Sequence, residues 1–335
     1  MRVTVPDYFE NFQCLAGECP HTCCEKWEVV IDADSAERYM SVPGALGDKL
    51  RSALKRDEDG DLCFPLEGGR CPFLDGDNLC EIHKKLGEAA TSVTCREHPR
   101  FTEDYGPFRE ITLSASCPAA NSLLLGSESP LTFRTFETEE VEEEGDEWLE
   151  YLLPLRERLL DILRDRSRPL KARLASFLAL ALSAQACLDE DCPESLPQAE
   201  EAVLTPAAEG LFPGALELLA SLEVLDADWP ALLERAEAAE PGAAPEALLE
   251  RTAVYFAFRY LLKAVNDGDL LGRAELCVLA VLAVERLAAV CGLAEGLRRF
   301  SCEIEHDDGN LDALLEAFRW EEALSPGAFL VELRR

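Results

Sequence analysis

Four cysteines fall within eleven positions of FQCLAGECPHTCCEKW, the stretch from Phe12 to Trp27, and two of them are adjacent. By spacing the stretch is Cys14-x4-Cys19-x3-Cys23-Cys24. Further along stand Cys71 and Cys80 in RCPFLDGDNLCEIHKKLG, Cys95 in TCREHPR and Cys117 in SCPAA, with Cys63 between them in LCFPL. Clustered thiols in a reducing compartment bind metal or do chemistry more often than they form disulfides. Zinc sites usually use C-x2-C pairs that wrap one turn around a tetrahedral ion, and no C-x2-C occurs here. The looser spacings suit loops around a bulkier inorganic core such as an iron–sulfur cluster. Zinc, disulfides and free thiols remain as alternatives. The Cys-Pro pairs at Cys19, Cys71 and Cys117 are compatible with cluster binding. One cluster needs four ligands, so the excess sulfurs are spare, structural or part of a second site.

Other polar groups stand near these sulfurs or in isolated motifs. His21, His83 and His98 lie close to the cysteines in sequence. Each is a ligand or general base in one reading and a hydrogen-bonded surface histidine in the other, commoner one. Arg96 and Arg100 in CREHPR could grip a carboxylate as a fork, or pair with surface acids. In EKWEVVID, Trp27 and Asp32 are placed to pack under the first cysteines, with Trp27 as a core residue. CEIEHDDGNL brings Glu303, Glu305, His306 and Asn310 together before a short helix. That group is either a base and ammonium clamp or a helix-entry loop capped by Asp307, Asp308 or Asn310.

Positioning these groups is the work of two contrasting stretches. Nine of the fourteen cysteines lie between Cys14 and Cys117 in a region rich in Gly, Pro and aromatics. It reads as short helices and loops that need a metal or covalent staple. After the acidic run ETEEVEEEGDE (Glu137 to Glu147) the pattern turns to long amphipathic helices. DEWLEYLLPLRERLLDILRDR is acidic first and basic late, as the helix dipole favours. PLKARLASFLALALSAQACL follows, with Pro169 near its first turn. PEALLERTAVYFAFRYLLKAV and LLGRAELCVLAVLAVERLAAVCG are the strongest helix patterns. The second is apolar nearly all round, so it is expected at the centre, with Gly292 as C-cap and Cys277 and Cys291 as small core residues. NLDALLEAFRWEEAL gives a late short helix. The expected architecture is mainly α: residues 1–135 a cysteine-rich metal-bound region of short helices and loops, packed on an all-α domain over residues 136–335.

A net charge of −33 over 335 residues argues against nucleic acid, which is bound by clustered Lys and Arg. It keeps a protein in solution and favours a cationic partner. The start MRVTVPDYFE lacks the apolar stretch of a signal peptide, and no apolar run approaches the ~18 residues of a membrane span. The expected compartment is the cytoplasm, with no membrane partner.

Taken together, FQCLAGECPHTCCEKWEVVID, RCPFLDGDNLCEIHKKLG, SVTCREHPR and LSASCP resemble the flagellin lysine N-methylase family, within a wider cysteine-rich group of zinc- or iron-chelating domains. AVYFAFRYLLKAVNDGDL and FSCEIEHDDGNLDAL extend the resemblance, which is weaker from about Phe136 to Pro245. The family implies methyl transfer from S-adenosylmethionine to lysines of flagellin, and a [4Fe-4S] cluster. Eight cysteines match its pattern: Cys14, Cys19, Cys23, Cys24, Cys71, Cys80, Cys95 and Cys117. Cys63 has no place in it. The chain lacks both the C-x3-C-x2-C triplet of radical enzymes and a glycine-rich strand-to-helix motif, so neither places the methyl donor. The implied reaction is a polar displacement, and a lysine of pKa ~10.4 must first lose its proton. Glu305 and His306 are the candidates for handling that proton, Arg96 and Arg100 for binding the donor. The partner is flagellin or another lysine-bearing protein. The alternative is a non-enzymatic iron- or zinc-binding protein, acting as a carrier or redox sensor. A structural zinc scaffold is a third option.

Overall fold

Leucines and alanines spaced three and four apart build most of this protein. Its computed structural model describes residues 1–25, 29–57, 60–190, 192, 197, 205–207, 209–212, 214–239 and 244–334. Trp27 lies outside the described residues. The chain divides into two compact units, each assembled from separate stretches of sequence. The larger comprises Met1–Glu10, Thr102–Thr112 and Ser122–Arg335, and the smaller Asn11–Phe101 and Leu113–Asn121. Residues 1–135 are thus shared between the units rather than forming one of them.

Strand pairing explains that division. The strands are β1 (Arg2–Pro6), β2 (Val29–Val30), β3 (Lys55–Arg56), β4 (Leu62–Phe64), β5 (Arg100–Asp104), β6 (Phe108–Leu113) and β7 (Phe133–Glu137). One sheet runs β5-β6-β1-β7, with β1 parallel to β6 and antiparallel to β7, Thr4 facing Thr135. This pairing draws both ends of the first 137 residues into the larger unit. The smaller unit holds the antiparallel sheet β2-β4-β3. The expectation of helices and loops alone for residues 1–135 is therefore corrected: strands of two to six residues in two sheets complete it.

The first helices are α1 (Ala33–Ser41), α2 (Gly44–Ala53), α3 (Glu81–Leu86), α4 (Val93–Glu97) and α5 (Pro118–Leu124). The larger unit continues with α6 (Leu149–Arg164), α7 (Leu170–Asp189), α8 (Gly214–Ser221), α9 (Trp229–Ala238), α10 (Glu246–Tyr260), α11 (Leu270–Cys291), α12 (Leu293–Glu305), α13 (Asp308–Trp320) and α14 (Pro326–Leu333). α6 buries Leu152, Leu155, Leu159 and Leu163 along one face. α11 is buried on all sides from Gly272 to Val284 and packs against α7, α9, α10, α12 and α13, so it is the central helix its sequence suggests. Gly292 ends it with φ of 86°, a backbone geometry that costs other residues energy. Cys277 is fully buried in the core, while Cys291 is half-buried. By length and composition alone α7 would reach across a membrane, but Lys171 and Arg173 interrupt it and 56% of its apolar window is buried within the protein, as in a core helix.

Candidate functional site

The smaller unit has a modest core. Val29, Ile31, Tyr39, Leu50, Phe64, Phe73 and Ile82 are buried together, and Cys71 is one of them. Tyr39 and Phe64 stack at 5.8 Å, and Phe64 tilts against Phe73 at 4.6 Å. Cys24 and Cys80 pack on the edge of this core. Cys63, next to Phe64 in β4, is buried on the opposite face of the strand from that core.

All eight family-matched cysteines belong to this unit. The amide of Cys71 donates to the carbonyl of Cys24 at 2.8 Å, joining the first cysteine stretch to the second. Cys80 is the N-cap residue of α3, without a side-chain cap hydrogen bond; burial raises its thiol, and the nearby amides of His83 and Ile82 work against that. Cys117 stands just before α5; burial raises its thiol too, with the nearby amides of Ala120 and Ala119 opposing. Both sulfurs thus sit where helix N-termini favour negative charge. The amide of Ala16 lies 3.4 Å from the sulfur of Cys14, and Cys19 donates to the carbonyl of His21 at 3.2 Å.

Mutual electrostatics sort these sulfurs. Cys24, Cys71, Cys80 and Cys95 lie within reach of one another. Cys14, Cys19 and Cys117 form a second group, and Cys23 feels both Cys95 and Cys14. Burial and the neighbouring sulfurs push Cys71 up to about 12 and Cys95 to about 11. The thiol of Cys23 donates to Cys24, which raises Cys23 and lowers Cys24. Without a cation Cys71 and Cys95 stay protonated at neutral pH; a bound metal would reverse that balance and release protons. Among the described residues, no three His, Cys, Asp or Glu side chains converge as they stand into a group that could hold a metal ion. Eight thiols in one unit suit a thiophilic centre in kind and number, and not in their present arrangement.

The remaining candidates in this unit are engaged locally. Arg96 donates through one nitrogen to the carbonyls of Thr91 and Ala89, bracing the turn before α4. Arg100 lies over the Phe12 ring at 5.4 Å. Burial lowers His98 to about 4, so its ring is neutral at pH 7. Asp32 caps α1 by accepting from Ser35 at 2.8 Å and also accepts from Val93 at 2.8 Å, tying α1 to α4. Burial opposes its ionisation, but those two amides outweigh it and bring the carboxyl down to about 2.

In the larger unit, CEIEHDDGNL is not the loop that one sequence reading expects. Glu303 and Glu305 are the last buried turn of α12, and His306 ends it. Glu303 accepts from the amides of Leu225 and Asp226, both at 2.9 Å. Glu305 accepts from Tyr255 at 3.1 Å, Tyr260 at 3.0 Å and Ser301, and pairs with Arg259 Nε at 2.8 Å. The capping reading holds for Asp307, which accepts from the amide of Asn310 at 2.8 Å and starts α13. Tyr255, Arg259 and Tyr260 were not singled out from sequence. Their signal is three polar groups in YFAFRY, inside a helix that should be apolar.

A thiol-rich unit on short strands and helices, within a mainly helical chain whose core holds buried ion pairs, defines the class. The chain is 31% identical over 129 residues to the flagellar biosynthetic protein FliU of Salmonella muenchen, across 37% of this chain and 76% of that protein. It is 30% identical over 149 residues to a lysine-N-methylase of Salmonella choleraesuis and to one of Salmonella typhimurium, across 41% of this chain and 37% of each relative. It therefore belongs to the family of FliU and the lysine-N-methylases, the flagellin lysine N-methylase family that its motifs resemble. The chain spans about a third of the length of the two lysine-N-methylases. No family model matches the chain, and no solved structure does.

Proposed function

We propose that this chain is a protein-lysine N-methyltransferase that takes its methyl group from S-adenosylmethionine, acts on flagellin or another lysine-bearing protein, and holds a [4Fe-4S] cluster. The similarity to the lysine-N-methylases supports the reaction. The observation that supports the cluster is the gathering of all eight matched cysteines in one compact unit, two of them at helix N-termini. Cys24, Cys71, Cys80 and Cys95 are the ligands we favour, with Cys14, Cys19, Cys23 and Cys117 as the remaining candidates. When bound, the cluster would fix this small unit and bear positive charge among the sulfurs. Arg96 and Arg100 are assigned to the donor's carboxylate. Glu305 and His306 are assigned to the amine, with Glu305 already engaged by Arg259 and three hydroxyls.

The test is anaerobic purification, a visible spectrum, iron, sulfide and zinc analysis, and transfer of labelled methyl groups from S-adenosylmethionine to flagellin. A broad band near ~400 nm with about four irons per chain, together with labelled lysine, is the expected result. Colourless protein with stoichiometric zinc would overturn the cluster. Metal without affinity for the methyl donor would favour the carrier or sensor instead.

A further inference from the structure

A cleft of about 700 Å³ in the larger unit plays no part in the assignments above. α7, α11, the end of α13 and the turn after it line it. Its walls carry six carboxylates: Asp189, Asp267, Asp269, Glu275, Glu321 and Glu322. Two are already compensated. Asp267 is held by Arg273 at 2.9 Å, and Asp269 by Arg319 at 3.0 Å. For the other four, no ion pair occurs among the described residues.

Glu275 separates this cleft from an ordinary acidic surface. It is 1% exposed, lines the cleft, and its Oε1 has no hydrogen-bond partner among the described residues. A buried, unpaired carboxylate oxygen is costly unless a donor arrives. Burial and the Asp269 carboxylate raise its pKa well above the usual range, which a neighbouring cation would undo. The rest of the lining narrows the kind of cation. Leu182, Leu188, Leu271 and the buried Phe318 give apolar walls, where a hard divalent ion would want oxygens all round. Trp320 at the rim is 79% exposed, a ring face available to an ammonium and its methylenes.

We propose that this cleft binds an alkylammonium group, a second lysine side chain of the acceptor protein distinct from the amine assigned to Glu305 and His306, with Glu275 accepting from the ammonium and Trp320 covering the methylenes. The identification of that amine as the acceptor's lysine rests on the methyltransferase reading; the alkylammonium chemistry does not. The cleft has room for the side chain and the peptide that bears it.

The test titrates the full chain with Nα-acetyl-lysine methylamide and with its norleucine counterpart, which keeps the methylenes and lacks the ammonium. Tryptophan fluorescence and calorimetry read binding. Saturable binding of the lysine probe alone is expected, weakened about tenfold or more in E275Q, as loss of a hydrogen bond to a charged group predicts. W320A, at an exposed position, should weaken it too, and decides the matter if E275Q does not fold. Equal binding of both probes, or unchanged affinity in the variants, overturns the proposal. n-Butylamine distinguishes the source: binding as tight as the lysine probe would make the ligand a free amine and remove the acceptor protein. Methyl transfer by the same preparations keeps the two readings apart. Transfer without Glu275-dependent binding removes the cleft and leaves methylation. Glu275-dependent binding without transfer removes methylation and leaves the cleft.

Discussion

Arg259 on α10 places its Nε 2.8 Å from Oε1 of Glu305 on α12, with the two side chains 4% and 0% exposed. Tyr255 and Tyr260 close around the same carboxylate. Two charges removed from water in this way hold each other because neither has an alternative partner in solvent.

Removing one member alone should be severe. R259A leaves a buried carboxylate uncompensated and should cost about 3–5 kcal/mol of unfolding free energy, read as a fall in the urea midpoint. E305Q keeps the shape and separates two roles. A folded E305Q with normal methyl transfer makes Glu305 an anchor. A folded E305Q with transfer lost and substrate affinity kept makes it a base.

Sulfur removal should be selective. C24S, C71S, C80S and C95S should each lose the visible absorption and most of the bound iron. C277S, in the core of α11, should leave the absorption unchanged. Loss of colour in C277S alone would sink the assignment to the smaller unit.

Acid should act through Asp32. Its folded value of about 2 lies below the ordinary ~3.9 of a free aspartate, so its contribution is fully present above the unfolded value and disappears as the pH falls through the folded one. D32A also removes the cap of α1 and should cost about 0.5–2 kcal/mol at pH 6. Urea midpoints of variant and parent should converge between about pH 4 and pH 2; a constant gap across that window would disprove the ionic part.

Salt should slow capture of a protein substrate. With a charge of −33, approach of a basic segment is favoured over a Debye length of ~10 Å at 0.1 M. The kcat/KM for a lysine-bearing protein should fall as ionic strength rises, with kcat little changed.

How far the sequence foretold all this depends on whether a feature is local. α11 was legible because Gly272 to Val284 are apolar nearly all round, Arg273 and Glu275 apart, and Gly292 supplies its stop. The sulfurs were legible because their clustering is itself the signal. The division of the chain was not: the pairing of Thr4 with Thr135 leaves no mark in either neighbourhood. β2 and β3, two residues each, are too short for alternation to show. Glu305 was noticed without its surroundings, because Arg259 and two tyrosines lie on a helix that periodicity reads only as buried. Glu275 was passed over, a single acid inside LLGRAELCVLAV, where only the packed structure reveals an oxygen without a donor.

The interleaved units also set an order of assembly. During synthesis β1 leaves the ribosome well before its antiparallel neighbour Phe133–Glu137 has been made. The thiol-bearing unit is complete once Asn121 emerges, before any of α6 to α14 exists. If the proposed cluster forms there, all of its candidate ligands are present on the nascent chain before the helical unit has been made.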